Sequence, residues 1–218
     1  QDTQQTAKPA EQMNLFEDKL LDVNHKQDYR IIGQLFDTYW LIEFEDSFYM
    51  MDQHAAHEKI LYERLMKQFH EKTYHSQMIM PPVILTLSLR EEQILKENWK
   101  TFTALGYEIE EFGGKEYKVT GLPAELPTVI DCNQLLIELI DTIADESATH
   151  DPERITEKVA SMSCKAAVKG NNRLSFKEAE ELMRELMEAE NPYNCPHGRP
   201  TLIKMTKYEI ERKFKRIL

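Results

Sequence analysis

YWLIEFEDSFYMMDQHAAHEKILYERLMKQFH, residues 39–70, changes periodicity partway along, and the change decides the fold. Tyr39 to Phe44 is aromatic and β-branched. Phe48 to Met51 repeats that character after the turn-forming Glu45-Asp46-Ser47, so both read as strands. From Asp52 the spacing becomes helical: Ala56, Ile60, Leu61, Leu65 and Phe69 recur on one face, so a helix opens at Asp52 and runs to about His70.

Upstream, Tyr29 to Phe36 reads as a further strand, and residues 1–27 are Gln-, Asp- and Lys-rich without an apolar period, the composition of a linker. Downstream, Gln77 to Leu87 is extended. Ser88-x-x-Glu91 is a capping box for a helix ending at Gly106. Tyr107 to Phe112 and Tyr117 to Thr120 flank Gly113-Gly114 as a hairpin. Helices are expected over Asn133 to Glu146 and Glu153 to Val168, the latter stopped by Gly170. Another follows the Ser175-x-x-Glu178 box to about Ala189, and a last one follows the Thr206-x-x-Glu209 box, after a strand over Thr201 to Met205. Strands and helices mix without regular β-α-β alternation, so the class is α+β. Residues 81–150 hold their own helix, hairpin and helix, the content of an insertion whose flanks, 28–80 and 151–218, pair to form the main body, with polar Ser147 to Pro152 as a boundary.

The chain of 218 residues is 41% hydrophobic and 30% charged, a soluble globular balance. It has no run of about 18 apolar residues and no signal-peptide pattern, so no membrane is expected as a partner. Its first residue is Gln1, which points to a piece of a longer protein. Lys and Arg total 27 against 38 Asp and Glu, a formal charge of −11. An acidic chain is a poor unaided DNA binder, because phosphate neutralisation dominates non-specific affinity. Cys132, Cys164 and Cys195 are odd in number and widely spaced, which suits a reducing cytoplasm better than a disulfide framework.

Two clusters carry chemistry. On the helix, His54 and Glu58 are one turn apart and about 40° around the axis, so an imidazole and a carboxylate face the same way. Asp52, at the helix start, can cap it or turn to the same ion. Glu63 lies about 140° from Glu58 and is less clearly on that face. In the second cluster, Cys195-Pro196-His197-Gly198-Arg199-Pro200, a thiol and an imidazole two residues apart can be presented together. Thiolate, imidazole and carboxylate suit zinc, and paired carboxylates suit metal-assisted hydrolysis. Taken singly, each has a plainer reading: a solvated His-Glu pair, a proline turn, an N-cap, and, for Cys164 beside Ala160, Ala167 and Val168, a buried small hydrophobe. His57 could be a spare ligand, and its plainer reading is an exposed side chain.

In combination, Asp52-Gln53-His54-Ala55-x-x-Glu58-x-x-x-x-Glu63 resembles the endonuclease signature of MutL-type DNA mismatch repair proteins. Ser163-Cys164-Lys165, Cys195-Pro196-His197-Gly198-Arg199-Pro200 and Phe214-Lys215-Arg216 resemble three further family segments, in family order. The resemblance implies the C-terminal region of a bacterial MutL: a mixed sheet-and-helix dimerisation subdomain with an inserted smaller α/β regulatory subdomain. It implies a homodimer and a metal-dependent nicking endonuclease. Asp52, His54, Glu58, Cys195 and His197 would be metal-binding, Asp52, His54, Glu58 and Glu63 catalytic, and Cys164, Lys165 and Arg199 supporting, with Arg199 able to meet phosphate. Implied cofactors are Zn2+, structural or regulatory, and Mn2+ or Mg2+ for catalysis, with no ATP site in this chain. Implied partners are double-stranded DNA, bound weakly alone, the replication sliding clamp, and the mismatch-recognition protein MutS through the full-length protein, all in a bacterial cytoplasm at the nucleoid. The alternative is a non-catalytic dimerisation module with a structural zinc.

Gln77-Met78-Ile79-Met80-Pro81-Pro82 resembles the sliding-clamp-binding motif of bacterial MutL proteins, with Gln77, Ile79, Met80 and Pro82 as contacts; the other reading is an ordinary core strand leaving through prolines. Lys204, Lys207, Arg212, Lys213, Lys215 and Arg216 crowd the C-terminus as a basic strip.

Overall fold

Alternation along the opening strands builds the first layer. The computed structural model describes residues 29–127, 130–146, 152–168 and 173–217. In it β1 (Arg30–Leu35), β2 (Tyr39–Phe44) and β3 (Ser47–Asp52) form an antiparallel meander, and β7 (Leu202–Thr206) returns from the far end of the chain to pair with β3. Successive side chains point to opposite faces of a strand. One face therefore carries Trp40, Ile42, Phe44, Tyr49, Met51 and Leu202, all buried. The opposite face carries the row Leu41, Met50 and Ile203, paired across three strands.

Two helices cover the buried face. α1 (Gln53–Glu71) contributes Ala56 and Ile60. α6 (Phe176–Glu188) contributes Ala179, Leu182, Met183, Leu186 and Met187, the i, i+3, i+4, i+7, i+8 stripe of an amphipathic helix. Both ends of the Ser175 capping box are made, which fixes where α6 begins.

The second core starts on the same α1, one turn further on, at Leu65 and Met66. It is walled by an antiparallel sheet in the order β4-β6-β5, from β4 (Ser76–Thr86), β5 (Glu108–Gly113) and β6 (Glu116–Pro123). Against it pack α2 (Leu89–Glu97), α3 (Trp99–Ala104), α4 (Cys132–Glu146) and the Val159, Ala160 and Cys164 face of α5 (Pro152–Val168). The arrangement is α+β, with both sheets antiparallel. Position 80/81 falls inside β4, whose pairing to β6 begins at Ser76.

One helix expected between Ser88 and Gly106 is two. It breaks at Asn98, whose side-chain amide donates to the Ile94 carbonyl at 2.9 Å and whose backbone leaves the helical region. Asparagine offers the backbone such an alternative partner, and the helix restarts at Trp99. His57, expected to be exposed, is half-buried, and burial followed by the neighbouring His54 lowers its pKa. The linker (residues 1–27), the polar boundary after Glu146 and the Gly170 stop lie outside the described residues. The three cysteines are free thiols, all buried. Among the described residues no helix is long and apolar enough to cross a membrane.

Candidate metal centre

Asp52 fixes the start of α1. Its Oδ1 accepts from the backbone amides of His54 at 2.9 Å and Ala55 at 3.1 Å, the hydrogen bonds of an N-cap. Gln53 locks this start against the sheet. Its Oε1 accepts from Trp40 Nε1 at 3.2 Å and Gln34 Nε2 at 3.1 Å, and its Nε2 donates to the Asp37 carbonyl at 3.0 Å. A buried amide satisfied at both ends specifies position, so Gln53 sets the rotation of α1 and hence the direction of Glu58 beyond it. Sequence reading quoted Gln53 within the motif without a role, since polar Asp52 and His54 on either side leave it no local signal.

The second segment is held as tightly. The Cys195 amide donates to the Arg199 carbonyl at 2.8 Å, and the Gly198 amide to the Cys195 carbonyl at 2.9 Å. Gly198 takes φ +77, a left-handed conformation that side-chain-bearing residues rarely adopt. Thr201 is fully buried, its hydroxyl donating to the Pro192 carbonyl, and the Asp52 amide donates to the Thr201 carbonyl at 2.9 Å. That last bond ties the loop to the start of α1.

The consequence is a convergence across 139 residues of sequence. Ligand atoms of Glu58, Cys195 and His197 all lie within 4.8 Å of one another. Glu58 is 3% exposed and Cys195 4%. His197 Nδ1 stands 3.2 Å from Glu58 Oε2, while its Nε2 meets Ser161 Oγ of α5 at 3.1 Å. Arg199 Nη2 donates to the same Glu58 oxygen at 2.5 Å. That carboxylate, and after it Cys195, raises the Arg199 pKa, so the guanidinium stays charged. Cys164, on the neighbouring face of α5, is fully buried; burial, with the Glu58 charge adding to it, pushes its pKa well above the usual thiol range. Its thiol stays protonated.

The donor set fits a cation. Zinc bonded at about 2.0–2.3 Å spaces tetrahedral donors about 3.5 Å apart, between the 3.2 Å separating Glu58 from His197 and the 4.8 Å limit of the group. A thiolate, an imidazole and a carboxylate are the ligand types zinc prefers, and three protein ligands leave a position open. His54 stands one turn back along α1 and Asp52 caps the helix, with His54 Nδ1 3.8 Å from the capping oxygen of Asp52, and neither is part of the three-residue group. Glu63 also lies apart. Its carboxylate pairs with Lys59 Nζ at 2.8 Å and accepts from the backbone amides of Glu190 at 2.8 Å and Asn191 at 3.2 Å. Lys165 is exposed and borders, with His197, a recess between α4 and α5. Sequence reading also missed Ser161, since nothing in its neighbours marks it as a partner for a loop 36 residues away.

The segment Gln77 to Pro82 divides its side chains. Gln77 Nε2 donates to the Pro123 carbonyl at 3.0 Å and also to the Leu126 carbonyl, and Ile79 packs on the second core. Met80 is 77% exposed, and Pro82 is exposed beside it.

Comparison with known proteins follows the same lines. Residues 32–174 match the family model described as the MutL C terminal dimerisation domain. The chain is 54% identical over 193 residues to a DNA mismatch repair protein MutL from Agathobacter rectalis, covering 88% of this chain and 30% of that protein. Identity is 39% over 196 residues to the MutL of Caldanaerobacter subterraneus, 90% of this chain and 33% of that one. Against the Clostridium tetani MutL it is 36% over 217 residues, 99% of this chain and 35% of that one. The chain thus spans about a third of the length of these relatives. With the family model covering most of the described fold, from the first strand through α5, the chain belongs to the MutL C-terminal dimerisation-domain family of DNA mismatch repair.

Proposed function

We propose that this domain is a metal-dependent nicking endonuclease of mismatch repair, acting as a homodimer. The observation that carries the reading is the approach of Glu58, Cys195 and His197 from two distant segments to within 4.8 Å. These three would hold the cation, zinc in a structural or regulatory role and manganese or magnesium for catalysis. A bound cation supplies Lewis acidity toward water and the phosphodiester. The chain's own groups set that chemistry up. Ser161 Oγ can accept an Nε2 proton from His197, which would turn the Nδ1 lone pair toward a cation held between His197 and Glu58. Arg199 neutralises the buried Glu58 while retaining further N–H groups for a phosphate oxygen. Asp52 and His54, at the start of the same helix, are the groups we assign to a second ion.

Double-stranded DNA is then the substrate, and delivery falls to the sliding clamp and, through the full-length protein, to MutS in the bacterial cytoplasm. The second reading is a non-catalytic dimerisation module with structural zinc, which a fourth protein ligand closing the site would favour. Supercoiled-plasmid nicking with manganese, beside elemental analysis for zinc, separates the two. Glu58→Ala should abolish nicking with the dimer intact, and Cys195→Ala with His197→Ala should lower bound zinc. Full nicking by Glu58→Ala, or undiminished zinc in the folded double variant, would reject the assignment.

A further inference from the structure

We propose that the strip formed by α7 (Lys207–Lys213) and the turn after it is a docking surface for the phosphate backbone of double-stranded DNA. The inference takes DNA as its ligand from the nuclease reading. Residues 204–216 hold six Lys and Arg against two Glu, in a chain whose formal charge is −11. Two of the six are engaged. Lys204 lies over the Tyr49 ring at 5.5 Å, and Lys213 and Lys204 both act on the charge of Glu209, the carboxylate of the Thr206 capping box. Lys207, Arg212, Lys215 and Arg216 are exposed, and among the described residues none of the four has an ion pair. Glu45 and Asp46 stand at the start of α7, where the Lys207 amide donates to the Asp46 carbonyl at 2.8 Å, and Glu45 already has a partner. Arg212, Lys215 and Arg216 gather at the other end of the helix, about 8–10 Å away along its axis, with Glu211 as the one acid among them.

The backbone holds this cluster in place. The Lys215 amide donates to the Arg212 carbonyl at 3.0 Å and the Arg216 amide to the Glu211 carbonyl at 2.9 Å, with Lys215 at φ +54. These are the two bonds and the left-handed residue of a Schellman turn, so residues 215 and 216 leave from a fixed backbone. Glycine suits that left-handed position, and lysine there keeps a charge at the cost of strain. The plainer reading is that cations complement the carbonyl end of the helix dipole. Lys213 already stands in that last turn, so the other three exceed what the dipole asks. Exposed Tyr208 lies about 40° around the helix from Arg212, one turn earlier, and adds a hydroxyl donor for phosphate or sugar. Position ties the strip to the site. The metal loop runs to Pro200, β7 follows, and α7 starts where β7 ends. Five residues of strand cover about 17 Å, the length of about five base pairs. A duplex held by the strip and reaching back along β7 arrives at Arg199 and the candidate metal. Phosphate contacts of this kind fix the orientation of the duplex and carry no sequence preference.

The test uses the full chain and a short fluorescent duplex, with chelator present so that no cutting occurs. Anisotropy follows binding between about 50 and 200 mM salt, where each neutralised phosphate contributes about 0.9 to the log–log slope. Removing the four free cations together, as Lys207→Gln, Arg212→Gln, Lys215→Gly and Arg216→Gln, should lower the slope by about 3–4. The charge-keeping set Lys207→Arg, Arg212→Lys, Lys215→Arg and Arg216→Lys should retain the parental slope. Lys207→Gln with Arg212→Gln, losing about 2, carries the same test should the turn be disturbed. Lys72→Gln, Arg90→Gln, Lys100→Gln and Lys115→Gln, at exposed positions around the second core, change the net charge equally and should leave the slope at the parental value. An unchanged slope in the four-cation variant overturns the strip. So does an equal loss in the second-core set, which would make net charge the cause. Light scattering is run on the same proteins, and an altered oligomeric mass with an unchanged slope would assign the strip to a second, acidic copy of the chain instead. Nicking with manganese is measured separately. A lowered slope where no form nicks retains the strip and removes the nuclease reading, whereas nicking by the parent with an unaltered slope in the variant removes the strip alone.

Discussion

Glu63 belongs to the same helical motif as Glu58 and does different work. Its carboxylate gathers Lys59 Nζ and the amides of Glu190 and Asn191, so it clamps the chain four residues before Cys195. It is a positioning residue for the loop that brings Cys195 and His197 to Glu58. Burial alone would raise the Glu63 pKa, but the hydrogen bonds from Lys59, Glu190 and Asn191 outweigh it and the net shift is downward. A carboxyl whose folded pKa is depressed stabilises the fold above its unfolded pKa, and that contribution is lost as pH falls through the lower folded value. The clamp is therefore intact at neutral pH and released only in acid. Groups that orient ligands from outside the bonding shell typically influence metal affinity about 10–100-fold. Glu63→Ala should accordingly weaken zinc binding at pH 7 by about tenfold, read by competition with a chromogenic chelator, while circular dichroism stays that of the parent. Zinc affinity equal to the parent's would remove the positioning role and return Glu63 to the surface.

The face of the four-stranded sheet opposite α1 and α6 presents Leu41, Met50 and Ile203 side by side, with Ile203 50% exposed. Trp40, Ile42 and Phe44 are buried on the inner face; strand alternation divides the apolar run Tyr39 to Phe44 between core and surface. An apolar sheet face of this kind suits a second copy of the domain, and a stable interface buries about 800 Å² per partner. Met50→Glu with Ile203→Glu should give a monomer mass by light scattering at micromolar concentration, where the parent gives a dimer. Both changes fall on the outer face, so the inner core is untouched. A dimer mass for the folded double variant would move the interface elsewhere. The elements themselves were largely legible: strand alternation, the period change at Asp52 and the capping boxes at Ser88, Ser175 and Thr206 are local signals, and all three boxes form. The Asn98 break, the pairing of β7 with β3 and the Ser161 contact to His197 were not, because each depends on which of two competing partners a group finds once distant segments meet. Glu58, Cys195 and His197 could be nominated from the sequence, and helix geometry already offered Asp52 as a cap and set Glu63 off the shared face, whereas the Glu190 and Asn191 amides that Glu63 holds could not be foreseen.

On the scale of the molecule, α1 joins two cores, one under each sheet; the candidate metal centre takes Glu58 from that helix, and its His197 meets Ser161 of α5, an element of the second core. The segment read as clamp-binding opens the second. Its side chains divide as a strand's must, and the division alters the experiment. Gln77 holds the Pro123 and Leu126 carbonyls, so Gln77→Ala leaves acceptors without their donor and should cost stability of about 1–3 kcal/mol, confounding any loss of recruitment. Met80 and Pro82 stand in solvent, where substitutions usually change stability by less than about 0.5 kcal/mol. A formal charge of −11 opposes unguided contact with DNA, and tethering to a clamp raises the local DNA concentration without any new contact to DNA. Clamp loaded on DNA should therefore stimulate nicking by the parent. Met80→Ala with Pro82→Ala should remove that stimulation while leaving basal nicking, zinc content and melting temperature at parental values. Gln77→Ala should lower the melting temperature whether or not clamp is present. Equal stimulation of the Met80, Pro82 variant and the parent would reduce the segment to a strand of the second sheet and end the recruitment proposal.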